Sequence, residues 1–315
     1  MGDFLVRSVI LLAAYNGERH LPALTESIRQ QTDSDFSVLM QDDGSTDQTV
    51  PILEKLCVED SRFTMGSESG KHLGAAGNFL SLIRQAEGDC FLLCDQDDLW
   101  EPEKTARLKT AMREAERQYG KDCPLLVHSD CRLISEQGEP VADSFFRHQG
   151  WDPKAVTLPP LLVQNNVTGC TLIMNRALAG LIAAHGRAKD LFMHDWFIAL
   201  TAAAFGHVIF LNEPLTRYRQ HGDNAIGASR KGLIARGFAA LRQRKQAKRR
   251  ILLTYTHTLV FRKLYEGMLP EEADRITAAY LETRRMPKMK RIRAVRALGC
   301  VMQSPVTRLG QTFFG

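Results

Sequence analysis

Ser8–Ala14 is a continuous aliphatic run without polar alternation, the pattern of a parallel strand covered on both faces. Short apolar runs then alternate with longer mixed segments. A helix is predicted from Pro22 to about Gln31, a strand over Phe36–Gln41, and a helix from about Gln48 to Cys57. A short strand at Arg62–Met65, a helix over Ala75–Ala86, and strands at Cys90–Cys94 and Leu125–His128 continue the series. Strand–helix repeats at this spacing predict an α/β fold built on a mostly parallel, doubly wound sheet. Ligands of such sheets bind beyond the carboxyl ends of the strands.

After residue 140 the alternation loosens. Strands are expected at Thr168–Asn175, His207–Leu211 and Leu215–Arg219, and helices at Ala177–His185 and Trp196–Phe205. Beyond Ser229 the chain reads as helical and basic. Residues 230–315 hold 20 Lys/Arg against 5 Asp/Glu, a net +15, whereas residues 1–229 hold 21 against 31, a net −10. That asymmetry places the expected internal boundary near residue 229, with a basic helical region over 230–315. Its basic clusters alternate with apolar patches such as Ile251-Leu252-Leu253, as in a segment lying on an anionic membrane surface. Packing of this tail against the acidic part of the chain is the alternative. Nucleic acid is the third reading, and no recognised binding motif accompanies the charge.

No run approaches the roughly 20 apolar residues of a membrane span, and Met1–Arg7 lacks the apolar core of a secretory leader. Seven scattered cysteines fit reduced core positions of a cytoplasmic protein and offer no paired zinc spacing.

Chemistry is expected at the strand ends. The Cys90–Cys94 strand stops on Asp95, Asp97 and Asp98, like charges that repel unless a cation neutralises them. Mg²⁺ or Mn²⁺ suits such oxygen donors; a helix cap with solvated neighbours is the plainer reading. Asp42–Asp47 reads as a turn with Ser45 or Thr46 capping a helix, yet two adjacent acids exceed what capping needs. A carboxylate there could accept from a base N–H or ribose hydroxyl, and Tyr15 could stack on that base. Asp195 either caps the helix starting at Trp196 or acts as a general base. His221, in a polar loop, would touch a phosphate or the metal, or be merely solvated. Gly66–His72 fails as a phosphate loop, because its glycine spacing is short and His72 replaces the Ser/Thr.

Six elements in order, Tyr15-Asn16, Asp42–Asp47, Gly74 with Asn78, Asp95-Gln96-Asp97-Asp98-Leu99-Trp100, Thr168-Gly169-Cys170 and His194-Asp195-Trp196, resemble the family-two inverting glycosyltransferases of GT-A fold, in particular their rhamnosyltransferase-like members. The resemblance spans residues 8–224. It implies a catalytic region over 1–229, with a nucleotide-binding half to about 125 and an acceptor half over about 126–229. By the same resemblance Tyr15 and Asp43 hold the nucleoside, Glu18 the nearby ribose or phosphate, and Gly74 and Asn78 belong to the donor site. Asp95 contacts ribose or metal, Asp97 is the principal metal ligand with His221 as a further candidate, and Asp195 is the base. His72 departs from the family's usual Asn. No Q-x-x-R-W sequence of the processive synthases is present, so transfer of one or few sugars per encounter is expected. The implied reaction moves a sugar, dTDP-L-rhamnose being the leading donor, to a saccharide or lipid-linked saccharide in bacterial surface-polysaccharide assembly, at the inner face of the plasma membrane. A UDP-hexose or UDP-N-acetylhexosamine donor is the runner-up, and a non-catalytic sugar-nucleotide scaffold the rival from another class.

Overall fold

The computed structural model describes residues 7–220 and 236–314, with side chains omitted at 236–247 and at a few positions of the last helix. The boundary near residue 229 and His221 lie outside the described residues. In chain order the elements are β1 Ser8–Ala14, α1 Leu21–Arg29, β2 Phe36–Asp42, α2 Thr49–Glu59, β3 Phe63–Met65, α3 Gly74–Gln85, β4 Cys90–Asp95, β5 Leu99–Trp100, α4 Lys104–Tyr119, β6 Leu125–Ile134 and β7 Pro140–Ala142. There follow α5 Phe145–Gln149, α6 Leu158–Leu161, β8 Leu172–Asn175, α7 Arg176–His185, α8 His194–Phe205, β9 His207–Arg219, α9 Arg236–Leu264, α10 Glu271–Thr283, α11 Lys288–Ala297 and α12 Pro305–Phe314.

All described strands join one sheet in the order β3-β2-β1-β4-β8-β6-β9-β5, with β7 on β6. β1 pairs in parallel with both β2 and β4. Its side chains alternate between two apolar layers: Val9 and Leu11 face α3, α7 and α8, while Ile10 and Leu12 face α1, α2 and α4. This two-sided burial explains why the strand shows no polar alternation in sequence. On α1, Leu21, Leu24, Thr25 and Ile28 form the buried stripe, the spacing of a helix with one face on a core.

Three expectations change. β8 runs antiparallel to both β4 and β6, so its beginning lies at the edge where β1, β2 and β4 end. Of the strand expected over Thr168–Asn175, the first part is instead a 3-10 turn, Gly169–Thr171. The two strands expected at His207–Leu211 and Leu215–Arg219 are one strand, β9, whose register on β6 slips near Asp130, opposite Pro214. Proline lacks the N–H that a regular ladder needs, and a bulge absorbs it.

The C-terminal helices share the main core. Phe261 and Tyr265 of α9 are fully buried beside Phe197 of α8, and His257 packs edge-on against Trp196 at 4.6 Å. Apolar contact thus holds this region to the strands. No helix among the described residues is long and apolar enough to cross a membrane.

Candidate active site

The loops after β1, β2 and β4 converge as the strand order requires. The Tyr15 N–H donates to Gln96 Oε1 and Gln96 Nε2 donates to Tyr15 O, both at 2.6 Å. Asn16, at φ 49°, receives the Thr46 N–H on its Oδ1 and donates its own N–H to Ser45 Oγ. Three loops are thereby tied before any ligand arrives.

The two adjacent acids at the end of β2 divide their work. Asp42 is consumed by its own turn, accepting from the Gly44 and Ser45 amides and from the Ser45 hydroxyl. Asp43 reaches across to the start of α3, accepting from Leu73 N at 2.6 Å and Gly74 N at 2.9 Å. Gly74 sits at φ 72°, where a side chain would be strained. Neither Ser45 nor Thr46 caps α2. Glu18 Oε2 accepts from Gln48 N and Asp47 Oδ1 from Thr49 N. This use makes Glu18 part of the α2 entrance, and it does not line the cleft described next.

An open cleft of about 510 Å³ lies over these strand ends, lined by Tyr15, Asp43, Gly74, Asn78, Asp95, Asp97 and Asp195 among others. Seven of the nine sequence-derived candidates therefore meet in one place. Tyr15 remains 45% exposed, with the His72 ring 5.3 Å away and tilted. Asn78 is buried; its Nδ2 donates to Gln41 O, while its Oδ1 has no partner.

The acidic loop is braced from behind by β9. Arg219 donates its backbone N–H to Asp98 Oδ1 and its Nε to Asp97 O. Asp98 is buried, and burial first, then the Asp97 charge, pushes its carboxyl up to about 7. Asp95 is driven well above the usual carboxylate range by burial and then by Asp98, Asp97 and Asp195. One ligand atom each of Asp95, Asp98 and Cys170 lies within 4.8 Å of the other two. A thiol suits softer metals, and burial keeps that of Cys170 protonated. The hard-cation donors facing the cleft are Asp95 and Asp97, and their crowding fits a divalent ion with oxygen ligands. All seven cysteines are free.

Asp195 lines the same cleft from the first turn of α8, buried. Its Oδ1 accepts from Trp196 N at 2.7 Å, with further hydrogen bonds from Gly169 and Asn165. Those bonds favour the carboxylate, but burial outweighs them and pushes it up to about 7. His194 stacks on Phe79 at 4.3 Å, and burial lowers it to about 4, so its ring is neutral. Gln96, Lys104 and Arg219 complete the site without having been assigned roles from sequence, and Asp98, expected among the strand-end acids, is instead buried behind the loop. Only the neighbourhood of Asp95 and Asp97 hinted at Gln96.

The chain is 26% identical over 243 residues to the dTDP-rhamnosyl transferase RfbG of Shigella flexneri, covering 69% of this chain and 74% of that one. It is likewise 26% identical over 237 residues to the putative glycosyltransferase EpsH of Bacillus subtilis, covering 73% and 65%. Among solved structures, S. aureus TarS 1-349 in complex with UDP-GlcNAc superposes with a TM-score of 0.56 at 17% identity, over 89% of this chain and 72% of that one. The mannosyltransferase PcManGT of Pyrobaculum calidifontis, in complex with GDP-Man and Mn²⁺, gives 0.54 at 16%, over 94% and 74%. The loops after β1 and β2, the acidic end of β4 and the Asp195 carboxylate share one cleft, the model of glycosyl transferase family 2 matches residues 9–178, and the chain belongs to that family, a GT-A transferase acting on nucleotide sugars.

Proposed function

We propose that this chain is an inverting, metal-dependent transferase that moves a sugar from a nucleoside diphosphate to a saccharide hydroxyl. The observation that carries the reading is Asp195: a buried carboxylate lining the same cleft as Asp95 and Asp97 and close enough to raise Asp95 by its charge. A sugar nucleotide leaves negative charge on its diphosphate, and Asp95 and Asp97 would hold a divalent ion that meets this charge. The acceptor hydroxyl attacks the anomeric carbon from the side away from the diphosphate. Asp195 takes its proton, a contribution of about 10²–10⁴-fold in rate. Asp43 and Tyr15 fix the nucleoside end, and the braced acidic loop keeps the two ends in register.

dTDP-L-rhamnose is the proposed donor, supported by the likeness to RfbG. A UDP-N-acetylhexosamine is the second reading, favoured by the TarS complex with UDP-GlcNAc. The acceptor is proposed to be lipid-linked, with the protein resting on an anionic membrane surface. α11 supports this: Lys288, Lys290 and Arg293 are exposed on it, and Met289 is 65% exposed. Basic residues near such a surface contribute roughly 1 kcal/mol each.

Thermal shift of the purified protein with dTDP, UDP, GDP and their sugars, with and without Mn²⁺, tests the donor. Release of nucleoside diphosphate with octyl glycosides as acceptors tests the activity. A manganese-dependent shift with dTDP ligands and turnover of dTDP-rhamnose are expected; a UDP preference selects the second reading. Binding with no turnover of any donor would favour the non-catalytic scaffold.

A further inference from the structure

Lys104 opens α4 and has no exposed surface. Taking an ammonium out of water is costly unless its surroundings answer the charge. A residue needed only to fill space would be apolar. The surroundings here are specific. Lys104 Nζ donates to Cys170 O at 2.6 Å and stands 3.6 Å from the centre of the Trp100 ring. Burial lowers it from the usual lysine range, and the nearby Asp98 and Asp95 charges oppose that loss.

Cys170 belongs to the 3-10 turn Gly169–Thr171, and the other side of that turn is the floor under Asp195. The Gly169 N–H donates to the Asp195 carboxylate. A Cβ on Gly169 would stand 3.1 Å from His194 Nε2 and 3.6 Å from Asp195 Cβ. The turn is therefore pressed against Asp195 on one face and held by the Lys104 amine on the other. Thr216 Oγ1 supplies a second donor to the same carbonyl at 3.3 Å.

The geometry points to Lys104 as a positioning residue for Asp195, acting through the Cys170 carbonyl and the Gly169 amide to set where the carboxylate stands above the acidic loop. The inference rests on the reading of Asp195 as the base. Lys104 touches no reactant, and its effect passes through a turn whose displacement by 1 Å is enough to cost about 10²-fold in rate.

A two-by-two set of variants tests it, using the donor and octyl glycoside that turn over best, or water where no glycoside serves. With Asp195 intact, Lys104→Met is expected to lower kcat by roughly 10- to 100-fold while donor KM stays within about threefold. In the Asp195→Asn background the same change should cost less than about twofold, because the group it positions is already disabled. Equal losses in both backgrounds, a KM that rises with the loss in kcat, or no loss at all would each overturn the inference. Lys104→Gln, which keeps an N–H donor, runs through the same cycle should the Met variant not fold. Failure of both to fold makes Lys104 a folding residue and overturns it too. The single Asp195→Asn variant reports separately on the base: if it keeps full kcat, both readings fall, whereas a loss there with equal Lys104 effects sinks only this one.

Discussion

Tyr15 and Gln96 hold each other through a reciprocal pair of hydrogen bonds, backbone amide to side-chain oxygen and side-chain nitrogen to backbone carbonyl, each 2.6 Å long. The pair bridges the exits of β1 and β4, so the proposed base-stacking ring and the acidic loop share one anchor. Two such bonds contribute on the order of 1–3 kcal/mol. Gln96→Ala is expected to weaken nucleotide binding by about tenfold, read by titration calorimetry with Mn²⁺ and dTDP or UDP. Unchanged affinity would show that the loop holds its shape without the clasp.

Asp97 and Asp195 line the same cleft but should fail differently. Asp97→Ala is expected to abolish manganese-dependent nucleotide binding. Asp195→Ala should keep that binding and lose about 10²–10⁴-fold in transfer. Near-full transfer by the second variant would remove Asp195 as the base.

The raised Asp195 carboxyl predicts a pH profile. A base works when ionised, and burial holds this one up to about 7. The rate constant kcat should therefore fall about tenfold per pH unit below that point and level off above it. Stability runs the other way: a raised carboxyl contributes stability fully present below its unfolded value near 4 and lost as pH rises through about 7. An Asp195→Asn enzyme that kept the acidic limb would assign the limb to another group.

His128 offers a stability test away from the cleft. It is fully buried, neither ring nitrogen has a partner, and its neighbours are the rings of Phe146 and Phe210. Burial lowers it from 6.5 to about 3. Its contribution is thus present above 6.5 and lost as pH falls through about 3, a loss of about 2 kcal/mol already at pH 5. Urea unfolding of His128→Leu should show a gain relative to the parent about 2 kcal/mol larger at pH 5 than at pH 8. The same difference at both pH values would mean that the ring is hydrated in the folded protein.

Much of the donor side was legible because strands buried on both faces announce themselves as unbroken apolar runs. The acids at their ends then stand out: β1, β2 and β4 lie within a residue of their expected limits. Direction has no such signature. Nothing local in Leu172–Asn175 distinguishes a strand running with its neighbours from one running against them, and only the pairing with β4 and β6 reveals it. Chemistry alone did not separate the neighbours Asp42 and Asp43, and only the resemblance singled out Asp43, which the structure places in the cleft. Glu18 read as a ligand because its partner, the Gln48 amide, is 30 residues away. A lysine at the first position of a helix reads as solvated, so the burial of Lys104 left no trace in the sequence.

The reversed strand has a consequence for how such a site diversifies. The proposed nucleotide side hangs from strands where the chain leaves the sheet, whereas the floor under Asp195 hangs from β8 where the chain enters it. The stretch that leads into β8, from Ser135 to Thr168, carries only short helices and the edge strand β7. Its core positions, Phe145, Phe146, Leu158 and Leu161 among them, are buried, so its freedom to change lies at the exposed positions between them. On the proposed reading, those exposed positions can be rewritten to suit a new acceptor hydroxyl while the strand ends keep the nucleotide, and Lys104, bonded to the Cys170 carbonyl, ties the two together.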